Sequence, residues 1–264
     1  MEYCFPLFKY AFHRGRHTAL NVFFTLTTAL VNLSLASLLF GLSEFCQQNE
    51  WGLFYWFSFS PILIASLGLV LMDGLSAWLP HFIEHQVKWL WQFHIIHHSD
   101  RSVDASTANR HHPGESVLRF IFTLFGVLVL GAPLWFILLY QSVSVLFSQF
   151  NHSNINLPAW LDRGLSWVFV TPGMHRVHHH FQQPWTDKNY GNIFSIFDRI
   201  LGTFAQKDHH ALIFGLDTHF DQKETDHLLP LLKIPFLPHR QSENNGILPG
   251  NSKNAAEPHI DRQQ

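Results

Sequence analysis

The sequence predicts an all-α integral membrane protein, a bundle of four transmembrane helices with a cytoplasmic helical cap. The first observation is a series of long apolar blocks in a chain of 264 residues, of which 14% are charged, against about 25% in a typical soluble domain. The second is that Lys and Arg flank these blocks on one side only. The third is a set of histidine-rich segments between the blocks, in a chain with 20 histidines.

The first two spans are the apolar runs that precede residue 80. Ala19–Leu42 has no charged residue and is longer than the roughly 20 residues that cross a bilayer core. The second run extends from Trp51 to about Leu79, and aromatic residues crowd its start, as is typical of a membrane interface. Asp73 is its only charge. We expect Asp73 to be functional or paired, or to end a helix and reach headgroup water.

The third and fourth spans are predicted to form a helical hairpin. Val117–Phe150 is apolar and is interrupted near its middle by Gly131-Ala132-Pro133. As one helix it would be about 51 Å long, whereas the bilayer core is about 30 Å thick. A turn at Gly131–Pro133 solves this mismatch, because Gly and Pro both interrupt helices.

The distribution of basic residues predicts the orientation. The loops at 43–50 and 131–133 have no Lys or Arg, so the positive-inside rule places both termini and the histidine-rich segments in the cytoplasm. The net charge of -2 gives no basic surface for nucleic acid.

The chain is predicted to have three parts. Residues 1–18 form a cytoplasmic N-terminal segment and residues 19–235 a membrane-embedded domain, in which 151–235 form the cap. Residues 236–264 are rich in Pro, Asn, Gln and Ser, which predicts a disordered tail.

Three histidine clusters have helical spacing: His81-Phe82-Ile83-Glu84-His85, His94-Ile95-Ile96-His97-His98 and His175-Arg176-Val177-His178-His179. Residues three and four apart share a helix face, so each cluster would direct its imidazoles one way. Eight histidines exceed the roughly three protein ligands of a catalytic zinc. They suit two ions with about four imidazoles each. Imidazole ligation without thiolate suits iron, copper or zinc, and spacing alone does not choose among them.

Two other functions remain open from the residues alone. His81, Glu84 and His85 match the His-x-x-Glu-His motif, in which two histidines bind zinc and the glutamate acts as general base. A membrane zinc hydrolase would use this motif but would leave the other two clusters unexplained. A metal-binding membrane scaffold without chemistry is the third possibility.

The motifs resemble the sterol desaturase / fatty acid hydroxylase superfamily of membrane-bound, histidine-rich di-iron enzymes. Leu90-Trp91-Gln92-Phe93-His94-Ile95-Ile96-His97-His98-Ser99-Asp100 resembles its second histidine box. Thr171-Pro172-Gly173-Met174-His175-Arg176-Val177-His178-His179 resembles its third. The similarity runs from about Asp73 to Phe204 in the family's order.

The resemblance implies ten metal ligands: His81, His85, His94, His97, His98, His112, His152, His175, His178 and His179. It also implies groups that orient the ligand imidazoles, namely Asp104, Arg110, Glu115, Asp187 and Asn189. Each of these five could equally form a surface salt bridge or a helix cap.

The activity implied by the resemblance is oxidation of a lipid. Two iron ions would activate O₂ with two external electrons, and a C–H bond of a fatty acyl chain, sterol or similar lipid would be hydroxylated or desaturated. The electrons would come from a partner such as a cytochrome b5-like protein, a ferredoxin or a reductase. The other expected partners are the lipid substrate and the bilayer.

The first box departs from the family pattern in two ways. Phe82 stands where the family usually has Arg, and Pro80 looks inserted, which moves Asp73 one position further from the box. The inserted residue is expected to change the direction of the helix that carries His81.

Overall fold

The computed structural model describes residues 2, 4–10, 14–219 and 221–241 of the chain. Within these ranges the protein is all-helical, as predicted, and its only β-structure is three isolated bridges. The α-helices are α1 (Arg14–Gln48), α2 (Leu53–Trp56), α3 (Pro61–Asp73), α4 (Leu79–Gln86), α5 (Lys88–His98), α6 (Pro113–Leu130), α7 (Leu134–His152), α8 (Ala159–Leu165), α9 (Pro172–His178), α10 (Ile196–Ile200), α11 (Gln222–Thr225) and α12 (Leu228–Lys233). Most of the predicted disordered tail lies outside the described residues.

Three helical segments of the described chain are long and apolar enough to cross a membrane: Gly15–Trp56, Pro61–Gln86 and Pro113–Leu130. The first is the least covered by protein, with 6% of its most apolar window buried, so most of its surface is available to lipid. The fourth expected span, α7, is 19 residues long but is not among these three segments.

The predicted hairpin turn is confirmed at Gly131. Helix α6 ends at Leu130, Gly131 takes a left-handed conformation with φ 70°, and α7 starts at Leu134. A side chain at Gly131 would collide with the carbonyl oxygen of Trp51, so the glycine allows the first loop to pack on the hairpin turn. The Nε1 atom of Trp51 donates to the Leu128 carbonyl at 3.0 Å. The turn and the first loop therefore pack together at the same end of the helices.

A π-helix, Gly74–Trp78, joins α3 to α4. A π-helical turn holds one more residue than an α-helical turn, so it can absorb a single inserted residue within a continuous helix. This π-helix lies between Asp73 and the first histidine box, and Pro80, the residue expected to be inserted, follows it in α4.

Asp73 is fully buried and binds a segment of the chain that is distant in sequence. Its carboxylate accepts the backbone N–H groups of Ile193 and Phe194 at 3.0–3.2 Å. Asp198 acts in the same region, because it accepts the Nε1–H of Trp78 at 3.0 Å. Of the two roles considered for Asp73, the structure supports the paired one, and the partners are backbone amides.

Candidate metal centre

The first group of converging imidazoles contains five side chains from α4, α5 and α9. Their nitrogen atoms lie within 4.8 Å of one another, and we call the group cluster A: His81, His85, His94, His98 and His178. Four of the five are buried and the side chain of His85 is 1% exposed. Helix α4 places His81 and His85 on one face, and α5 does the same for His94 and His98.

The second group contains four buried side chains from α5, α7, α9 and the residue that directly follows α9. Their nitrogen atoms also lie within 4.8 Å, and we call the group cluster B: His97, His152, His175 and His179. His97 comes from the same box as His94 and His98, but it faces the other cluster. His152 is the last residue of α7, so the end of this helix supplies one imidazole of cluster B.

The clusters adjoin because adjacent residues of one box belong to different clusters. The rings of His98 and His179 are stacked with their centroids 4.8 Å apart. The rings of His94 and His97 are 5.1 Å apart. Two cations bound in the clusters would therefore be near neighbours inside one buried site.

Backbone carbonyls hold three of the imidazoles. The Nδ1 atom of His81 lies 2.8 Å from the Tyr190 oxygen, that of His178 lies 2.7 Å from the Lys188 oxygen, and that of His152 lies 2.8 Å from the Ser148 oxygen. A carbonyl can only accept, so each Nδ1 carries the proton and each Nε2 presents its lone pair to the cluster.

Carboxylates hold two more imidazoles. Nδ1 of His94 lies 2.7 Å from Oε1 of Glu115, and Nδ1 of His85 lies 3.0 Å from Oδ1 of Asp187. Such contacts fix the tautomer and orientation of a metal-binding imidazole and increase its basicity.

The facing Nε2 atoms fit a bound cation. His81 Nε2 lies 3.1 Å from His94 Nε2, although both imidazoles already carry their protons on Nδ1. Two lone pairs at this distance repel each other, and a cation shared between them would remove the repulsion. In cluster B, His152 Nε2 likewise faces the Nε2 atoms of His97 and His175 at 3.1 and 3.0 Å.

Two histidines, one in each cluster, have no hydrogen bond at either nitrogen. These are His98 and His179, and both are fully buried. Burial lowers the pKa of each imidazole well below its ordinary value, and the neighbouring imidazoles add to this effect. Neutral imidazoles are the form that binds metal, and buried polar atoms without partners are unfavourable unless a ligand satisfies them.

Of the ten ligand candidates, His112 alone lies outside both clusters. Its Nδ1 accepts the backbone N–H of Gly114 at 3.0 Å at the start of α6, so this nitrogen caps the helix. The ligand role of His112 stays a prediction, and the observed contact favours a helix cap.

Three of the five orienting candidates contact no ligand imidazole. Asp104 caps a 3₁₀-helix by accepting Ser106 N–H at 2.8 Å. Arg110 is buried and donates to the Ile96 carbonyl at the end of α5. Asn189 donates to the Met174 carbonyl of α9 at 2.8 Å. Arg110 and Asn189 thus hold helices that carry cluster histidines, whereas Glu115 and Asp187 contact imidazoles directly.

Sequence reasoning missed a charged network beside cluster A. Arg119 donates to Glu84 at 2.6 Å and to Glu115 at 3.0 Å, and both carboxylates are fully buried. Nδ1 of His111 lies 2.7 Å from Oε1 of Glu115, and its ring stacks on that of His97 at 4.6 Å. The spacing of four between His111, Glu115 and Arg119 was the available signal.

Comparison with known proteins agrees with this arrangement. The fatty acid hydroxylase profile matches residues 65–203, which include every residue of both clusters. An ornithine lipid hydroxylase of Rhizobium tropici is 30% identical over 138 residues, or 52% of this chain and 40% of its own length. An alkylglycerol monooxygenase of Danio rerio is 32% identical over 168 residues, or 63% of this chain and 36% of its own length.

Human cholesterol 25-hydroxylase is 29% identical over 135 residues, and this chain covers 48% of its length. The chain thus spans less than half the length of each of these relatives. No solved structure matches it significantly. The match to the family profile covers more than half of the chain, and this chain belongs to the fatty acid hydroxylase family.

Proposed function

We propose that this chain is a membrane-bound non-haem di-iron enzyme that uses O₂ and two external electrons to hydroxylate a lipid C–H bond. The observation that carries the proposal is the pair of adjoining, buried imidazole clusters with lone pairs directed inward. Cluster A would hold one iron and cluster B the other. When bound, the irons would supply the activation of O₂.

The proposed reaction balances without a further reactant. The substrate R–H and O₂, with two electrons and two protons, give R–OH and one water. The protein's own part is to bury the reacting groups, exclude bulk water and fix the imidazoles through Glu115, Asp187 and the three carbonyls. A buried site also keeps a reactive oxidant away from solvent.

Iron is favoured over zinc by the chemistry of the relatives. Their names, ornithine lipid hydroxylase, alkylglycerol monooxygenase and cholesterol 25-hydroxylase, all describe insertion of oxygen, which requires a redox-active centre or cofactor. The same names favour hydroxylation over desaturation. They also favour a lipid substrate, either an acyl or alkyl chain or a sterol.

The zinc hydrolase alternative receives less support from the first box. Its general base would be Glu84, but Oε2 of Glu84 is ion-paired with Arg119 at 2.6 Å and lies 3.8 Å from Nδ1 of His94. A base engaged in a buried ion pair is poorly available to a metal-bound water. A metal-binding scaffold without chemistry would not need two adjoining clusters of five and four imidazoles.

The proposed topology keeps the four spans, with α7 as the fourth. The termini and both clusters would face the cytoplasm, where an external electron donor can reach them. A cytochrome b5-like protein, a ferredoxin or a reductase could fill that role. The distribution of Lys and Arg around the apolar runs supports the orientation.

The test combines metal analysis with oxygen labelling. The protein is purified from cells grown with iron, its metals are quantified, and membranes are incubated with a reductant system and ¹⁸O₂ before lipid mass spectrometry. We expect iron as the dominant metal and one ¹⁸O atom in a hydroxylated lipid that is absent from cells lacking the protein. Zinc as the only metal, with lipid hydrolysis that proceeds without oxygen, would contradict the proposal.

A further inference from the structure

Part of the chain that the sequence assigns to the cytoplasmic cap has an exposed apolar surface. Six residues between 159 and 201 form what we call the apolar patch: Trp160, Trp167, Val168, Ile196, Ile200 and Leu201. Trp160, Trp167 and Ile200 are 72%, 70% and 74% exposed. Exposed apolar surface of this kind indicates contact with a protein or a membrane.

The two halves of the apolar patch are bonded to each other. Ser195 N–H donates to the Val168 carbonyl at 3.1 Å, and Val170 N–H donates to the Ile193 carbonyl at 2.9 Å. The guanidinium of Arg199 lies 4.3 Å from the centroid of the Trp167 ring. The chain after α8 is therefore bonded to the chain around α10, and Trp160 precedes this region within α8 itself.

The contacts with α3 give the depth of this surface. Helix α3 starts at Pro61, next to the exposed aromatic residues of the first loop, and Asp73 lies about 18 Å further along at 1.5 Å per residue. Asp73 binds the amides of Ile193 and Phe194 directly. The hydrocarbon core of a bilayer is about 30 Å thick. A tilt of α3 would only reduce the distance of Asp73 from the start of the helix, measured along the membrane normal.

Helix α7 gives a second, independent measure of the depth of this surface. It starts at Leu134 after the hairpin turn, and Phe147 lies about 20 Å along it at 1.5 Å per residue. The ring of Phe147 is 5.2 Å from that of Phe169, the neighbour of Val168. Ser144, nearer still to the start of α7, accepts a hydrogen bond from Asn192 at 2.9 Å.

We propose that segments 166–170 and 192–201 form a re-entrant element that lies inside the cytoplasmic leaflet, with the apolar patch against lipid. The occupant of this surface is the bilayer itself. Two helices place the element about 15–20 Å from the far end of the bundle, short of the full core thickness. The inference depends on the membrane spans and not on the reaction.

The polar backbone groups of the element form hydrogen bonds within the protein, as surrounding lipid requires. Non-helical chain at membrane depth must have its polar groups satisfied within the protein. Asp73 satisfies Ile193 and Phe194, Asp198 accepts the N–H groups of Tyr190 and Gly191 at 2.9 Å, and Ser195 Oγ donates to a carbonyl at 2.7 Å. This explains why two buried carboxylates serve amides in an apolar region.

Arg199, the basic residue of the element, has its partners within the protein. Its guanidinium donates to the Ser166 carbonyl at 2.7 Å and lies 3.9 Å from the Phe204 ring centroid. A charged side chain at membrane depth is normally paired within the protein, and the carbonyl and the aromatic ring supply these contacts.

The experiment measures how deeply individual sites lie in a bilayer. Single cysteines are introduced into the full chain carrying Cys4→Ser, while Cys46 stays because it is fully buried. Ile200→Cys tests the apolar patch and Leu201→Cys repeats the test if the first variant does not fold. Each is labelled with the fluorophore NBD in phosphatidylcholine vesicles that contain a nitroxide-labelled acyl chain.

Two control variants calibrate the result. Leu146→Cys, 69% exposed on α7, reports a lipid-facing site at the same level, and Gln182→Cys reports an exposed site after the third box. We expect the lipid nitroxide to quench NBD at Ile200→Cys as much as at Leu146→Cys and more than at Gln182→Cys. Quenching of Ile200→Cys by aqueous iodide to the level of Gln182→Cys, without quenching by the lipid nitroxide, would overturn the proposal.

Discussion

Oε1 of Glu115 lies 2.7 Å from Nδ1 of His94 and 2.7 Å from Nδ1 of His111. One buried carboxylate oxygen thus orients an imidazole of cluster A and also the ring that stacks on His97 of cluster B. Arg119 balances its charge at 3.0 Å. Glu115 therefore links the two clusters through contacts outside the metal positions.

Glu115→Gln is expected to weaken metal binding with little change in the fold. The amide keeps the size of the side chain but loses the negative charge, and substitution of such an orienting group costs about 10–100-fold in metal affinity or activity. Competition with a chelator, followed by metal analysis, measures the loss. The control is Glu224→Gln, because Glu224 pairs with the exposed Arg240. Equal metal retention by the two variants would contradict the prediction.

His178→Ala and His97→Ala are each expected to abolish lipid oxidation. The first opens cluster A and the second opens cluster B, so each should reduce the bound iron by about half if an ion needs its full ligand set. Membrane insertion should persist, because neither side chain is needed by the spans. The control is the exposed His227→Ala, which lies outside both clusters. Normal product formation by His178→Ala would contradict the assignment of cluster A.

His112→Ala is expected to lower stability while the metal content stays the same. The change removes the cap of α6, and loss of an N-cap costs about 0.5–2 kcal/mol. Thermal unfolding in detergent and metal analysis of the same sample separate the two effects. Loss of metal without loss of stability would restore His112 to the ligand set.

Asp73→Ala is expected to destabilise the protein strongly. The change leaves the buried amides of Ile193 and Phe194 without an acceptor, and a buried donor without a partner costs about 1–3 kcal/mol. Asp73→Asn should be milder, because the amide oxygen still accepts. The unfolding midpoint in detergent measures both. If both variants unfolded like the unchanged protein, Asp73 would not anchor this segment.

The metal-free protein is expected to lose stability as the pH falls below about 6.5, the ordinary pKa of histidine. Burial holds the pKa of His98 and His179 well below that value, so the unfolded chain binds more protons than the folded protein in this range. Stability then rises with pH up to about 6.5 and levels off above it. Unfolding of the stripped protein across this range measures the effect. A midpoint independent of pH would contradict it.

Much of the fold and the site could be predicted from the composition and spacing of residues close together in the chain. The helical class, the hairpin turn at Gly131 and the helical spacing of the three boxes depend on composition and on residues near one another in the chain. The number of histidines predicted two groups of imidazoles. The helical spacing predicted that each box directs its imidazoles one way, whereas the second and third boxes each contribute to both clusters. The motifs also predicted the family, and the profile match confirms it.

The tertiary structure alone decided which histidines share a cluster. His97 and His98 are neighbours in sequence but face different clusters, and His152 joins cluster B from the end of α7. The same holds for the acceptors, since the Tyr190 and Lys188 carbonyls meet His81 and His178 only when the chain folds back. Likewise, the π-helix before the first box was not predicted from the sequence pattern. Sequence determines spacing along one helix, whereas contacts between distant segments depend on how the helices pack.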